Sequence, residues 1–193
     1  MGNVFDALYD VLFQPKIAMQ MIAEQKKISQ AVIVFFLSLV IPLWALYFGM
    51  QDVGMSAMVP FVIGFKIVSS MLMWFMGAAV WHLIAEFLGG RGTGLGLFTT
   101  LGFAQFPQVF IVPLWVIAAL LPASLKSIMM AVAALTIFGW SFFLTITAIK
   151  EVYEFSTAKA MLVMITPILA ILVVCAIAFT FIGSAVTQMP MWL

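Results

Sequence analysis

Apolar residues run through this chain in long blocks, and the polar positions fall between them. Stretches free of Asp, Glu, Lys and Arg cover 28–51, 67–85, 92–125, 127–149 and 160–193. A helix needs roughly 20 apolar residues to cross a hydrocarbon layer about 30 Å thick. Each stretch therefore supplies one crossing, and the longest are too short for two crossings and a turn. The pattern predicts five membrane-spanning helices, at 30–49, 60–87, 97–120, 127–149 and 161–185. Runs such as Ala31-Val32-Ile33-Val34-Phe35-Phe36-Leu37 are apolar on every face, whereas the strands of a membrane barrel alternate.

The first 28 residues follow another pattern. Val4, Leu8, Val11 and Leu12 recur at helical spacing, with Asp6 and Asp10 on the other face. Pro15 then opens a second short helix, at a position that tolerates its missing N–H. Lys16, Gln20, Glu24 and Lys27 form the wet stripe of that helix. The expected organisation is a cytoplasmic amphipathic segment at 1–28, lying in the interface, and a five-helix transmembrane domain at 29–193. The fold class is all-α: a polytopic membrane helix bundle with an N-terminal interfacial amphipathic helix.

Composition narrows the function. The chain is 66% hydrophobic and 8% charged, with a mean hydropathy of +1.25. Water-soluble domains carry about 25% charged residues, so a soluble enzyme is excluded. A net charge of +1 offers no phosphate-neutralising surface, so nucleic acid is not an expected partner. The lysines and arginine set the orientation. With the N-terminus in the cytoplasm, Lys16, Lys26, Lys27, Arg91, Lys150 and Lys159 lie inside and Lys66 and Lys126 outside. Five crossings then put the C-terminus outside, with Trp44, Tyr47, Trp115 and Trp192 near the outer interface. Asp6 and Asp10 stand where a secretory signal would carry positive charge. Cys175 is the single cysteine, so no intramolecular disulfide forms.

Few residues carry candidate chemistry. His82 and Glu86 are one helical turn apart near the inner end of the second crossing. Lys66, near the outer end of that crossing, is expected to snorkel to the surface. Gln105 and Gln108 flank Pro107 near the middle of the third, where the missing N–H predicts a kink. These four, His82, Glu86, Gln105 and Gln108, are the candidate polar intramembrane site. They serve either as interhelical hydrogen-bonding glue or as a solute path through an interrupted helix. The loop Gly89-Gly90-Arg91-Gly92-Thr93-Gly94-Leu95-Gly96 follows no strand and matches no nucleotide-binding pattern. It reads as a compact turn at the membrane surface. One histidine cannot build a metalloprotease site, and no nucleophile elbow is present. No catalytic residue, metal or cofactor is expected, and the protein is not expected to be an enzyme.

Four local patterns occur in order. They are Leu12-Phe13-Gln14-Pro15, Leu88-Gly89-Gly90, Gly102-Phe103-Ala104-Gln105-Phe106-Pro107, and Trp140 followed by Ala148-Ile149-Lys150-Glu151-Val152-Tyr153 and Ser156-Thr157-Ala158-Lys159-Ala160. Over residues 12–185 they resemble the Yip family of Ypt/Rab-interacting multi-pass membrane proteins, in particular its short bacterial branch. Phe103 stands where the family often has Tyr, and Gln14 where Gly is common. The resemblance implies five helices, a cytoplasmic N-terminus and a role in membrane organisation or trafficking. Eukaryotic relatives bind GTPases through a longer N-terminal region, so a GTPase partner is not carried over to this chain.

The expected function is that of a bacterial inner-membrane scaffold or interaction partner. Leu12, Phe13, Pro15, Arg91 and Tyr153 are the candidate cytoplasmic contacts. The bilayer, a second copy or another membrane protein would be the partner. The alternative is an oligomeric transporter or channel for an ion or small solute. Reporter fusions test the orientation. A fusion at Arg91 is expected to report cytoplasm, and fusions at Gly54, Ser124 and the C-terminus the opposite side; a cytoplasmic C-terminus contradicts five crossings.

Overall fold

The computed structural model describes residues 3–52 and 56–187. Trp192 and the reporter position Gly54 lie outside the described residues. Two short helices, α1 (Val4–Phe13) and α2 (Pro15–Gln25), precede the bundle. Asn3 caps α1 in a capping box with Asp6, and Pro15 starts α2. The crossings follow as α3 (Ile28–Asp52), α4 (Val59–Phe87), a broken third one, α7 (Ala123–Tyr153) and α8 (Thr157–Thr187). Five helical segments are long and apolar enough to cross a membrane, as the charge-free runs require. Among the described residues no strand occurs.

The third crossing breaks where Pro107 predicts a kink. Helix α5 (Gly94–Ala104) gives way to a 3₁₀ turn over Phe106–Phe110, and α6 (Ile111–Ala119) completes the crossing. Pro42 and Pro167, by contrast, are accommodated inside α3 and α8. The break therefore needs more than one proline. Gln105 and Gln108 flank it and hydrogen-bond to each other through their side chains, satisfying polar groups that lipid cannot.

The N-terminal helices are part of the bundle. α2 packs on α5 and α7, and α1 packs on α2 and α5. Leu8 and Val11 of α1 and Met19 and Ile22 of α2 share one core with Ala31, Val34, Phe103 and Leu144. We call this the capped end of the bundle; the 88–93 and 154–156 connections lie at the same end. The segment is thus docked by one face on the bundle, a contact that the hydrophobic pattern did not predict. Its outward row, Phe5, Tyr9, Phe13, Ile17 and Met21, stays exposed. The i, i+4 spacing of these five concealed a second apolar face beside the one that is buried.

Small residues let the helices approach, as membrane packing favours. A Cβ added to Gly102 would lie 3.0 Å from the Ala31 carbonyl oxygen and 3.0 Å from the Trp74 ring. Trp74 itself stacks between Phe35 at 4.2 Å and Phe98 at 4.1 Å, and its Nε1–H donates to the Phe98 carbonyl at 3.0 Å. One indole therefore pins α3, α4 and α5 together. α8 is at the other extreme: 6% of its crossing is buried, against 33% for α3, so lipid is its main neighbour.

Gly102→Val should push α3 and the Trp74 ring away from α5, costing about 1–3 kcal/mol. The measurement is thermal unfolding of the purified protein in detergent; an unchanged midpoint contradicts the close contact.

Candidate functional site

The four candidate intramembrane residues separate into two places. His82 and Glu86 sit at the capped end. His82 Nε2 lies 3.5 Å from Glu86 Oε1, and its Nδ1 lies 2.7 Å from the Tyr153 hydroxyl of α7. A carboxylate only accepts, so Nε2 carries the proton that faces Glu86, and Nδ1 shares a hydrogen bond with the Tyr153 hydroxyl. Tyr153 is 2% exposed and its ring lies against Phe155. The hydrogen bond thus ties α4 to α7 inside the protein.

The glycine-rich loop is the lid over this pair. A Cβ on Gly90 would meet the Tyr153 ring at 2.7 Å, and one on Gly94 would meet the His82 ring at 2.7 Å. A Cβ on Gly92 would run into the Val152 carbonyl and the Tyr153 ring. Gly89 takes a φ of +81°, which suits a residue without Cβ. The compact turn expected from the sequence is therefore made by packing on Tyr153. Thr93 then caps α5, its Oγ1 accepting from Gly96 N at 3.2 Å. Next to the loop, Gln20 Nε2 of α2 donates to Glu151 Oε2 at 2.6 Å. Lys150 Nζ stands 3.6 Å from the other oxygen of that carboxylate.

Gln105 and Gln108 line a separate cavity of about 320 Å³ between α3, α4 and the broken crossing. The Gln108 amide donates to the Gln105 carbonyl. Lys66, Ser38, Ser69 and Ser70 are its other polar walls. The lining residues of α4 nearest the capped end are Trp74 and Trp81, and neither His82 nor Glu86 reaches the cavity. Lys66 is the residue that sequence reasoning left out of the candidate site. The signal was available, since an intramembrane lysine marks function by default, and a lysine near a helix end was taken to snorkel.

The five candidate contact residues also divide. Phe13 and Arg91 are exposed, and Pro15 is half-buried. Leu12 is half-buried and lines an apolar recess with Pro107, Phe110 and Trp140. Tyr153, expected as a cytoplasmic contact, is instead buried under the glycine loop. Among the described residues no group of three His, Cys, Asp or Glu is placed to hold a metal ion.

Five apolar crossings closed at one end by a docked helix pair define a multi-pass membrane protein. The Yip1 domain matches residues 9–179, and the chain belongs to that family. No curated protein and no solved structure matches the chain.

The lid geometry makes a prediction. Gly92→Ala must displace the Val152 carbonyl or the Tyr153 ring, and should lower stability by about 2 kcal/mol. Gly64→Ala, where an added Cβ meets nothing within 4 Å, should leave it unchanged or raise it slightly. Thermal unfolding of both variants decides; equal midpoints contradict the packed lid.

Proposed function

We propose that the protein is a non-enzymatic scaffold of the bacterial inner membrane, and that it engages a membrane-protein partner through α1 and α2 on the cytoplasmic side. One observation carries this reading. The helix pair is locked to the bundle by Leu8, Val11, Met19 and Ile22, yet its opposite face leaves Phe5, Tyr9, Phe13 and Ile17 exposed. Rigid aromatic rings on a fixed support lose little entropy on contact, and such rings are frequent binding anchors. Tyr9 and Phe13 are already in ring contact, with centroids 4.7 Å apart. Arg91 is exposed in the loop at the same end of the bundle.

A second reading, transport of an ion or small solute by an oligomer, is favoured by the polar cavity beside the broken crossing. It requires a continuous route. The wall at Trp74 and Trp81 weighs against one, so the scaffold reading leads.

The triple variant Phe5→Ser, Tyr9→Ser, Phe13→Ser removes the exposed row and keeps the buried one. In-cell photo-crosslinking from position 16 is expected to lose its membrane-protein adducts in this variant. An unchanged adduct pattern contradicts the docking role. Purified protein in liposomes checks the second reading: no anion or cation flux above empty vesicles is expected.

A further inference from the structure

We propose that the cavity beside the broken third crossing binds the phosphate group of an anionic lipid, with Lys66 as its counter-ion. The inference does not depend on the docking role of α1 and α2.

Lys66 is the first ground. Three of the other six lysines have neighbours: Lys126 lies over the Trp115 ring at 5.8 Å, Lys150 beside Glu151 at 3.6 Å and Lys159 over Phe155 at 5.4 Å, while Lys16, Lys26 and Lys27 lie at the capped end. No such partner faces the Lys66 ammonium among the described residues. Its depth follows from α4. Lys66 and Glu86 are twenty positions apart on one helix, so they are separated by about 30 Å along the axis. That equals the thickness of the hydrocarbon layer. With Glu86 in one headgroup layer, Lys66 stands at the far edge of the hydrocarbon, where its long side chain reaches toward the phosphates of the other leaflet.

Sign selection is the second ground. The cavity lining contains no Asp or Glu, so an anion meets one cation and no opposing charge. Donors are also available. The Gln108 amide donates to the Gln105 carbonyl, which leaves the Gln105 amide hydrogens for a ligand. Ser70 lines the same wall, with its hydroxyl free to rotate toward an oxyanion. Ser38 and Ser69 already donate, to the Val34 and Lys66 carbonyls at 2.8 and 3.1 Å, and add no donor. One ammonium, one amide and one hydroxyl thus line the same cavity as donors open to an oxyanion.

Shape and surroundings select a lipid as the source. Phe35, Leu39 and Met73 make the remaining walls apolar. Met73 is 73% exposed and Lys66 is exposed beside it, so the rim opens along a lipid-facing helix surface. A volume of about 320 Å³ is small for a ligand site. It accommodates a headgroup with its glycerol, and the acyl chains remain in the bilayer.

The test is native mass spectrometry of the full chain, released from detergent after incubation with phosphatidylglycerol, phosphatidylcholine or inorganic phosphate. One phosphatidylglycerol is expected to stay bound under conditions that strip phosphatidylcholine. Lys66→Gln should weaken that retention by about tenfold or more, Lys66→Arg should preserve it, and Lys126→Gln should leave it unchanged. Equal retention in wild type and Lys66→Gln overturns the site. An equal loss in Lys126→Gln overturns it too, because general surface charge then explains the binding. Displacement of the lipid by millimolar inorganic phosphate overturns the lipid as the source. Thermal midpoints of the three variants within a few degrees of wild type show that the comparison is between folded proteins.

Discussion

The interaction on which the rest depends is the sandwich of Trp74 between Phe35 and Phe98. Lipid tails are as apolar as the side chains of these helices, so burial in hydrocarbon gives little net force between them. Dispersion contacts and interhelical hydrogen bonds must hold the bundle. Trp74 supplies both: two faces stacked within about 4 Å, and an Nε1–H bound to a carbonyl of the neighbouring helix. Gly102 allows the approach from α5, and Ala31 allows it from α3. A larger residue at either position would separate the rings.

That constraint also divides the polar groups. Toward the capped end, His82, Tyr153 and the glycine loop are matched hydrogen-bond and packing partners, consistent with a structural role. In the other direction, Lys66 and Gln105 keep donors without protein acceptors, and they surround space. Buried polar groups that are satisfied stabilise a fold, and those left open are available to a ligand. The same molecule thus carries a rigid support at one end and a polar recess along its side. A scaffold that grips lipid in one leaflet and a protein partner at the other surface uses both.

Much of the fold was legible in the sequence because lipid permits few solutions. Blocks of apolar residues gave the crossings, and Pro107 gave the break. The two N-terminal helices followed from Pro15 and the spacing of Leu8 and Val11. Their docking did not. The face of Val4, Leu8 and Val11 was read from spacing and is the one that turns inward, but periodicity could not say whether it meets lipid or the other helices. The site was less legible still. His82–Glu86 is a local pair and was read from spacing, but His82–Tyr153 joins residues 71 positions apart. Gln105 and His82 were grouped because both are polar and intramembrane. Only the placement of Trp74 and Trp81 sets them apart, and those residues are indistinguishable in sequence from any other core aromatic.

The central claim is that the cavity is open on the Lys66 side and closed toward the capped end. Accessibility of a single cysteine tests it most directly. With Cys175 replaced by alanine, Ser70→Cys is reconstituted in vesicles of known orientation and treated with a membrane-impermeant maleimide from each side. The account predicts protection from the side of α1 and α2, with any labelling confined to the side that Lys66 faces. Labelling at comparable rates from both sides would contradict it, and would mean that a water-filled route passes the Trp74 stack.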